Sequence, residues 1–185
     1  MSNHRSWKLF ALSLPIIALI GCGPAEQPAE QAAAPPPAPP AKTASVELAA
    51  TQGNNVTGTV KFTEDMGAVH VEYHVTGLAA GKHGFHIHET GDCSAPDGAS
   101  AGGHFNPDGK AHGAPDAAEH HVGDLGNIEA GADGMAMGDI HSSSLAFEGP
   151  NSFVGKAVIV HGGEDDVTTQ PTGNAGPRLA CGVIQ

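Results

Sequence analysis

Histidines are concentrated in residues 83–124, a segment otherwise made mostly of glycine, alanine, proline and aspartate. A single histidine is usually a surface residue, yet imidazole is also the commonest metal ligand among side chains. So dense a set predicts a metal centre, and the chain must fold so that its distant ligands meet. The histidines of this segment are His83, His86, His88, His104, His112, His120 and His121.

The first candidate ligands are His86 and His88, two residues apart in an apolar context. On a β-strand such residues point to the same face, so both rings can reach one ion, while Phe85 and Ile87 face the core. A further nitrogen ligand is needed, and His161, which ends a β-branched run, is the obvious supplier. Imidazole-rich, tetragonal coordination is what Cu(II) favours.

A second candidate set lies further along the chain. His104 and His112 are eight residues apart, and His121 and Asp124 add an imidazole and a carboxylate at a spacing that we interpret as that of a strand. Three histidines and one aspartate make a closed tetrahedral zinc set. The sequence thus predicts a zinc site as well.

Four motifs carry a family resemblance. They are Gly84-Phe85-His86-Ile87-His88-Glu89, Gly103-His104-Phe105-Asn106-Pro107, His121-Val122-Gly123-Asp124-Leu125-Gly126-Asn127 and Gly173-Asn174-Ala175-Gly176-Pro177-Arg178-Leu179-Ala180-Cys181-Gly182-Val183-Ile184. With these motifs the chain resembles the copper/zinc superoxide dismutases across roughly its last three quarters. The resemblance implies one copper and one zinc per chain.

By that resemblance both ions have four protein ligands each. Copper is expected on His86, His88, His104 and His161, and zinc on His104, His112, His121 and Asp124. Counting agrees with a shared ligand, because two four-coordinate ions need eight bonds and these are seven side chains. A deprotonated imidazole has two ring nitrogens and can serve both ions.

The activity that the resemblance implies is dismutation of superoxide to O₂ and H₂O₂ by a copper that cycles between two oxidation states. His104 would release copper and carry a proton during the cycle, while zinc, which has no redox chemistry, stays structural. Asp165 matches an aspartate that links a copper ligand with a zinc ligand. Arg178 matches an arginine that guides the anion, although 94–103 and 162–177 lack the lysines expected beside it.

Another class of function remains open, a non-catalytic lipoprotein that buffers copper and zinc on the same scaffold. Such a protein could lose His161 or Arg178 without loss of its function. In this chain, however, both residues are present. A purely structural domain would have no use for seven ligands. These observations favour the enzyme.

The 26 glycines and 14 prolines, and the scarcity of amphipathic helical patterns, favour an all-β fold. The segment 68–76 alternates clearly, with valines on one side and His70, Glu72 and His74 on the other. One face should be buried and the other wet, so His70 and His74 are predicted to be solvated and not ligands.

His83 is interpreted as a packing residue. We predict strands at 45–50, 55–63, 68–76, 82–89, 119–128, 133–141, 156–161 and 179–184.

Eight such strands suggest a Greek-key barrel or sandwich, an architecture to which copper/zinc superoxide dismutase itself belongs. Two long functional loops interrupt them, at about 90–118 and 162–178. The resemblance also implies a disulfide between Cys93 and Cys181, worth roughly 4 to 5 kcal/mol on the chain-entropy model. Such a bond needs an oxidising compartment, whereas two reduced cysteines in the cytosol would conflict with the export signal described next.

Residues 1–21 combine Arg5 and Lys8 with a short apolar run, the pattern of a signal peptide. The run ends in Leu19-Ile20-Gly21-Cys22, which resembles the lipobox of bacterial lipoproteins, so lipidation of Cys22 is predicted. Ordinary secretory cleavage is the alternative. The apolar run spans only twelve residues, too few for a permanent transmembrane helix.

Residues 22–44 are rich in alanine and proline and are predicted to be an extended linker, a role favoured over a PxxP recognition site. The folded domain is expected at 45–185.

The formal charge is −12, and becomes −14 when Arg5 and Lys8 leave with the signal peptide, which excludes nucleic acid as an electrostatic partner. Membrane contact is therefore expected through the lipid only, on the periplasmic face of the outer membrane, and a homodimer remains open.

Overall fold

The computed structural model describes residues 40–185, which form eight β-strands and one short 3-10 helix (Ala99–Ala101). In that range there is no helix long and apolar enough to cross a membrane. The predicted signal peptide, Cys22 and most of the linker lie outside the described residues. The strands are β1 (Thr43–Ala50), β2 (Thr57–Asp65), β3 (Ala68–Thr76), β4 (Gly81–His88), β5 (Asp124–Ala130), β6 (Met135–Ser142), β7 (Ala157–His161) and β8 (Arg178–Val183).

All eight strands belong to one antiparallel sheet, in the order β5-β4-β7-β8-β1-β2-β3-β6. The end strands β5 and β6 also contact each other, so the sheet is a nearly closed barrel. Strands β4, β5 and β6 follow one another in the chain, and β7 returns to lie beside β4, which is Greek-key topology. The predicted all-β barrel is confirmed.

Four neighbouring strands, β1, β2, β3 and β6, form what we call the open half of the barrel. Their side chains alternate between the core and the outer face, as the sequence of β3 predicts. Val69, Val71 and Val75 are buried in the core, whereas Glu72 and His74 are exposed. This half therefore has one dry face and one wet face.

The other four strands, β4, β5, β7 and β8, form the covered half, in which most residues on both faces are buried. In β7 every residue is buried. Val158 and Val160 belong to the barrel core, but Ile159 packs on the outer side against Ala101 and Cys181. Residues of the loops, and not water, therefore cover the outer face of this half.

Two long loops provide that cover. The first long loop (89–123) connects β4 to β5, and the second long loop (162–177) connects β7 to β8. The disulfide Cys93–Cys181 joins the first long loop to β8, with a Cα–Cα distance of 5.8 Å. The predicted disulfide is confirmed.

The strand predicted at 119–128 is wrong at its start, because β5 begins only at Asp124. His121 and Asp124 lie on a turn instead, where the Asp124 amide donates to the His121 carbonyl at 3.1 Å. The Asp124 carboxylate accepts the His121 amide at 2.8 Å and stabilises the same turn. The two ligands therefore converge through an i, i+3 turn and not through strand alternation.

A third connection (143–156), between β6 and β7, contributes to the core in a way the sequence did not predict. Its Phe153 is fully buried, and its ring centroid lies 4.7 Å from that of Phe62 and 4.9 Å from that of Phe147. Aromatic packing of this kind is offset or tilted rather than face to face. This segment therefore packs into the core of the barrel.

Candidate metal centre

Two groups of metal-ligating side chains lie on the outer side of the covered half, beneath the long loops. All are buried, and within each group the ligand atoms lie within 4.8 Å of one another. His104 belongs to both groups. The first group is His86, His88, His104 and His161, and the second group is His104, His112, His121 and Asp124.

Strands β4 and β7 place three of the four members of the first group. Phe85 and Ile87 are buried in the barrel core, so the alternate residues His86 and His88 face outward, as the strand periodicity predicts. His161 ends the neighbouring β7. The first long loop then returns along β4 and adds His104, which forms an isolated bridge with His88.

Hydrogen bonds determine which nitrogen of each ring remains free. His88 Nδ1–H donates to the Gly102 carbonyl at 2.9 Å, and His161 Nδ1–H donates to the Gly176 carbonyl at 3.2 Å. The two Nε2 atoms then carry lone pairs, and they lie 3.4 Å apart. Two nitrogens that each lie about 2.0–2.1 Å from one ion can be at most about 4 Å apart, so both can reach the same metal.

Three buried ring nitrogens within residues 40–185 have no hydrogen-bond partner, namely His86 Nδ1, His104 Nε2 and His112 Nδ1. Unpaired buried polar atoms are rare in proteins because each has lost its contact with water. His112 Nδ1 does lie 3.0 Å from Asp124 Oδ2, but without the geometry of a hydrogen bond. These unpaired atoms belong to the two groups, and a bound cation would satisfy them.

The second group is arranged around the carboxylate of Asp124. Its Oδ1 lies 2.8 Å from His104 Nδ1 and 3.3 Å from His121 Nδ1. The Nδ1 atoms of His104 and His121 are 3.4 Å apart, again a separation expected of donors around one ion. His104 thus presents Nδ1 to the second group and its unpaired Nε2 to the first.

Asp165 connects the two groups from outside. His86 Nε2–H donates to its Oδ2 at 2.7 Å, and His112 Nε2–H donates to its Oδ1 at 2.9 Å. Each bond leaves Nδ1 of that ring free for an ion. One carboxylate therefore orients one ring of each group, the role expected of partners that fix ligand tautomers.

The backbone around Asp165 is held by residues that the sequence analysis did not identify. Asn127 on β5 makes two hydrogen bonds of 2.8 Å with the Asp165 backbone, one to its carbonyl and one from its amide. At Gly173 a side chain would collide with the Asp165 carboxylate and lie 2.6 Å from His112 Nε2. Asn127 and Gly173 both lie within the quoted motifs, which was the available signal.

Burial keeps three histidines of the first group, His86, His88 and His161, neutral. It lowers the pKa of His86 to about 4, that of His88 to about 2 and that of His161 to about 3. For Asp124, burial alone would raise the pKa of the carboxyl, but hydrogen bonds from His104 and the His121 amide outweigh it and lower the pKa. At neutral pH the rings are uncharged and the carboxylate is ionised, the forms in which both bind metal.

Comparison with known proteins agrees with this geometry. The family described as copper/zinc superoxide dismutase (SODC) matches residues 56–184. The chain belongs to the copper/zinc superoxide dismutase family. It is therefore an oxidoreductase that uses copper and zinc, and the predicted enzyme class and cofactors are confirmed.

Two relatives and one solved structure illustrate the similarity. Superoxide dismutase (Cu-Zn) 2 of Mesembryanthemum crystallinum is 46% identical over 138 residues, covering 71% of this chain and 88% of the relative. Extracellular superoxide dismutase (Cu-Zn) of Brugia pahangi is 42% identical over 154 residues, covering 77% and 76%. The crystal structure of the clock protein EA4 has a TM-score of 0.72 at 39% identity, covering 80% of this chain and 96% of that one.

Arg178, the cation predicted to guide the anion, lies beside the first group of this superoxide dismutase. Its guanidinium donates to the carbonyls of Gly98 and Gly102, each at 2.6 Å. The Gly102 carbonyl also accepts the His88 ring N–H, so one oxygen connects the arginine to a ligand. Lys82, another candidate cation, is exposed and paired with Glu164 at 2.9 Å.

The other histidines within residues 40–185 lie outside the two groups. His83 is buried with ring nitrogens 2.8 Å from the His161 carbonyl and 2.9 Å from the Ala79 carbonyl, so it braces β4 against a ligand strand. His120 contacts the Ala117 carbonyl and Ser144. Sequence reasoning missed Gln170, whose side chain pairs with the His112 backbone at 2.9 Å in both directions.

Proposed function

We propose that this chain dismutates superoxide, with copper held by the first group and zinc by the second. The observation that supports this assignment best is the orientation of His104. Its Nδ1 faces the aspartate-containing group, which has the donor set of a zinc site, and its Nε2 faces three further imidazoles, the donor set that copper favours. His104 is then the bridge between the two ions.

Copper supplies one-electron exchange with superoxide, and zinc supplies a fixed positive charge without redox chemistry. The chain itself supplies orientation. Gly102 and Gly176 fix the tautomers of His88 and His161, and Asp165 fixes those of His86 and His112. The ligand atoms are therefore aimed before an ion arrives.

His104 is also the proposed proton carrier. When its Nε2 is not bound to an ion, that nitrogen has a free lone pair, whereas its Nδ1 remains against Asp124 at 2.8 Å. A proton taken up at Nε2 would be next to the reacting anion and could be returned to it. Apart from this proton transfer the His104 ring would stay in place, because Asp124 contacts its other nitrogen, Nδ1.

Arg178 is proposed to attract superoxide to this position. Its guanidinium is half-buried, and although burial lowers the pKa of Arg178, an arginine remains protonated in proteins. Thr51 holds the strand beneath it by donating its hydroxyl to the Arg178 carbonyl at 2.7 Å. The positive charge is thus fixed in direction instead of moving on a free side chain.

The decisive experiment measures metal content and superoxide removal on the same purified sample. We expect one copper and one zinc per chain, with catalytic removal. His161→Ala should abolish turnover while largely sparing zinc, since His161 belongs only to the first group. His74→Ala, an exposed histidine outside both groups, is the matched control and should behave as wild type.

Two results would argue against the proposal. Full activity in a copper-free sample would overturn the copper assignment. Stoichiometric binding of both metals without turnover would instead support the alternative of a metal-buffering protein.

We also propose that the enzyme works outside the cytoplasm, anchored to the periplasmic face of a bacterial outer membrane by a lipid on Cys22. The apolar run before Cys22 and the disulfide Cys93–Cys181, a bond typical of oxidising compartments, support this location. Cys22→Ser should move the protein from the membrane fraction to the soluble fraction. Continued sedimentation with membranes would indicate another anchor.

A homodimer is proposed too, and light scattering of the soluble variant would test it.

A further inference from the structure

We propose that the outer face of the open half carries a third metal site, which binds one divalent transition-metal ion such as Zn²⁺ or Cu²⁺. Its ligands would be His70 on β3 with Asp139 and His141 on β6. The site is separate from the two buried groups, because it lies on the solvent side of the open half, whereas they lie outside the covered half.

The strand register brings these three residues together. His70 and His141 are directly opposite each other in the β3–β6 pair, and their rings stack with centroids 4.5 Å apart and planes at 11°. Asp139, two residues before His141, points to the same face. All three ligand atoms lie within 4.8 Å of one another.

The distances fit a shared ion better than direct hydrogen bonds. His70 Nε2 lies 3.4 Å and His141 Nε2 lies 3.6 Å from the same oxygen, Asp139 Oδ2. Hydrogen bonds between nitrogen and oxygen are usually about 2.7–3.2 Å long. Ligand atoms around a tetrahedral zinc ion with bonds of about 2.0–2.2 Å are separated by about 3.3–3.6 Å.

The donor set selects the class of ion. Two imidazoles and one carboxylate suit zinc, copper and nickel, whereas calcium and magnesium prefer oxygen ligands alone. Three protein ligands on one side leave the opposite side to water, since Asp139 and His141 have 57% and 62% of their side chains exposed. The site would therefore exchange its metal with solution, unlike the buried groups.

Charges around the site also favour a cation. Glu72 is the cross-strand neighbour of Asp139 and adds a second carboxylate to this face. Lys61 on the adjoining strand β2 lies 3.8 Å from Glu72 and offsets part of that negative charge. The formal charge of the chain, −12, attracts cations as well.

The experiment titrates Zn²⁺ into the fully metal-loaded enzyme and measures binding by calorimetry and by metal analysis after equilibrium dialysis. We expect one additional zinc per chain, which is lost in His141→Ala and in Asp139→Asn. His74→Ala removes an exposed histidine from the same face of β3 and should keep the additional zinc. Superoxide removal should be unchanged in all three variants, because none of these residues touches the buried groups.

Absence of an additional equivalent in the wild type would overturn the proposal. Equal loss in His74→Ala and in His141→Ala would overturn it as well, because it would show unspecific binding to surface histidines. Since both buried groups remain loaded throughout, neither result would bear on the proposed dismutation.

Discussion

The open and covered halves of the barrel bury their strands in different ways. In the open half, residues of β3 alternate between core and water, and short turns join β1 to β2 and β2 to β3. In the covered half, β7 is buried on both faces beneath the long loops. The buried metal ligands all belong to the covered half or to its loops.

This difference shows where each half gets its stability. The open half depends on apolar burial in the barrel core, which needs no partner beyond the sheet. The long loops contain few apolar residues, so they are held by a disulfide and by hydrogen bonds at Asp165 and Arg178, to which bound ions would add. The two groups of candidate metal ligands therefore belong to the half that depends most on such local crosslinks.

The largest expected effect comes from removing the disulfide with Cys93→Ser and Cys181→Ser. The bond closes a loop of 88 residues, and its loss should lower the free energy of unfolding by about 2–5 kcal/mol. Hydrogen exchange should show the first long loop losing protection while β1, β2 and β3 keep theirs. Equal loss of protection in both halves would contradict the division that we draw.

Asp165→Asn should have the next largest effect. An asparagine can accept a hydrogen bond from one histidine N–H through its oxygen, but its NH₂ group cannot accept the other. We expect the affinity for metal to fall about 10–100-fold, as for other outer partners of ligands. Asp166→Asn is the matched control, because that neighbouring aspartate is exposed and, among the described residues, its carboxylate bonds only within its own turn, to Thr168 and Thr169.

If Asp166→Asn reduced metal affinity as much as Asp165→Asn does, the bridging role would be wrong. Competition with a chromophoric chelator would measure both affinities. The wild type provides the reference in the same buffer.

Arg178→Gln should lower the second-order rate of superoxide removal about tenfold, which is about 1.4 kcal/mol in the barrier. Superoxide dismutase is itself an established example of charge steering, so the family expectation is not new. In this chain Arg178 is proposed to have that role without lysines in 94–103 or 162–177. Lys82→Gln is the control and should have little effect, because its charge is already paired with Glu164.

Salt should slow the wild type more than the Arg178→Gln variant, because exposed charges act only across about 10 Å at 0.1 M salt. Equal slowing of both would place the steering charges elsewhere. Metal analysis of the variant must show both ions bound for the rates to be compared.

The smallest effect is expected in the open half, for Lys61→Gln. The pair with Glu72 is exposed and 3.8 Å long, and such surface pairs contribute about 0–1 kcal/mol. Thermal unfolding should therefore be almost unchanged. A large loss of stability would show that crosslinks matter in the open half as well.

The parts of the fold that could be predicted from sequence are those governed by local patterns. The alternation of residue types in β3 predicted which of its faces is buried and which is exposed. The apolar residues Phe85 and Ile87 predicted that His86 and His88, which alternate with them, point away from the core. The start of β5 was wrong because the turn at His121 depends on its own contacts with Asp124. Such contacts leave no periodic signal in the sequence.

What could not be predicted involves residues far apart in the chain. The bond between Asn127 and the backbone of Asp165, and the packing of Phe153 on Phe62, follow from strand order. His70 was correctly placed on the wet face, yet its contact with Asp139 and His141 depends on the β3–β6 register. No spacing rule connects positions that meet only across neighbouring strands.

The position of Asp165 between His86 and His112 has a consequence for how the enzyme acquires its two ions. An ion in one group would contact a ring that this carboxylate also holds, so its binding would be coupled through Asp165 to the other group. Linkage requires the benefit to be mutual: the factor by which zinc tightens copper equals the factor by which copper tightens zinc. A shortage of one metal would therefore weaken retention of the other by that same factor.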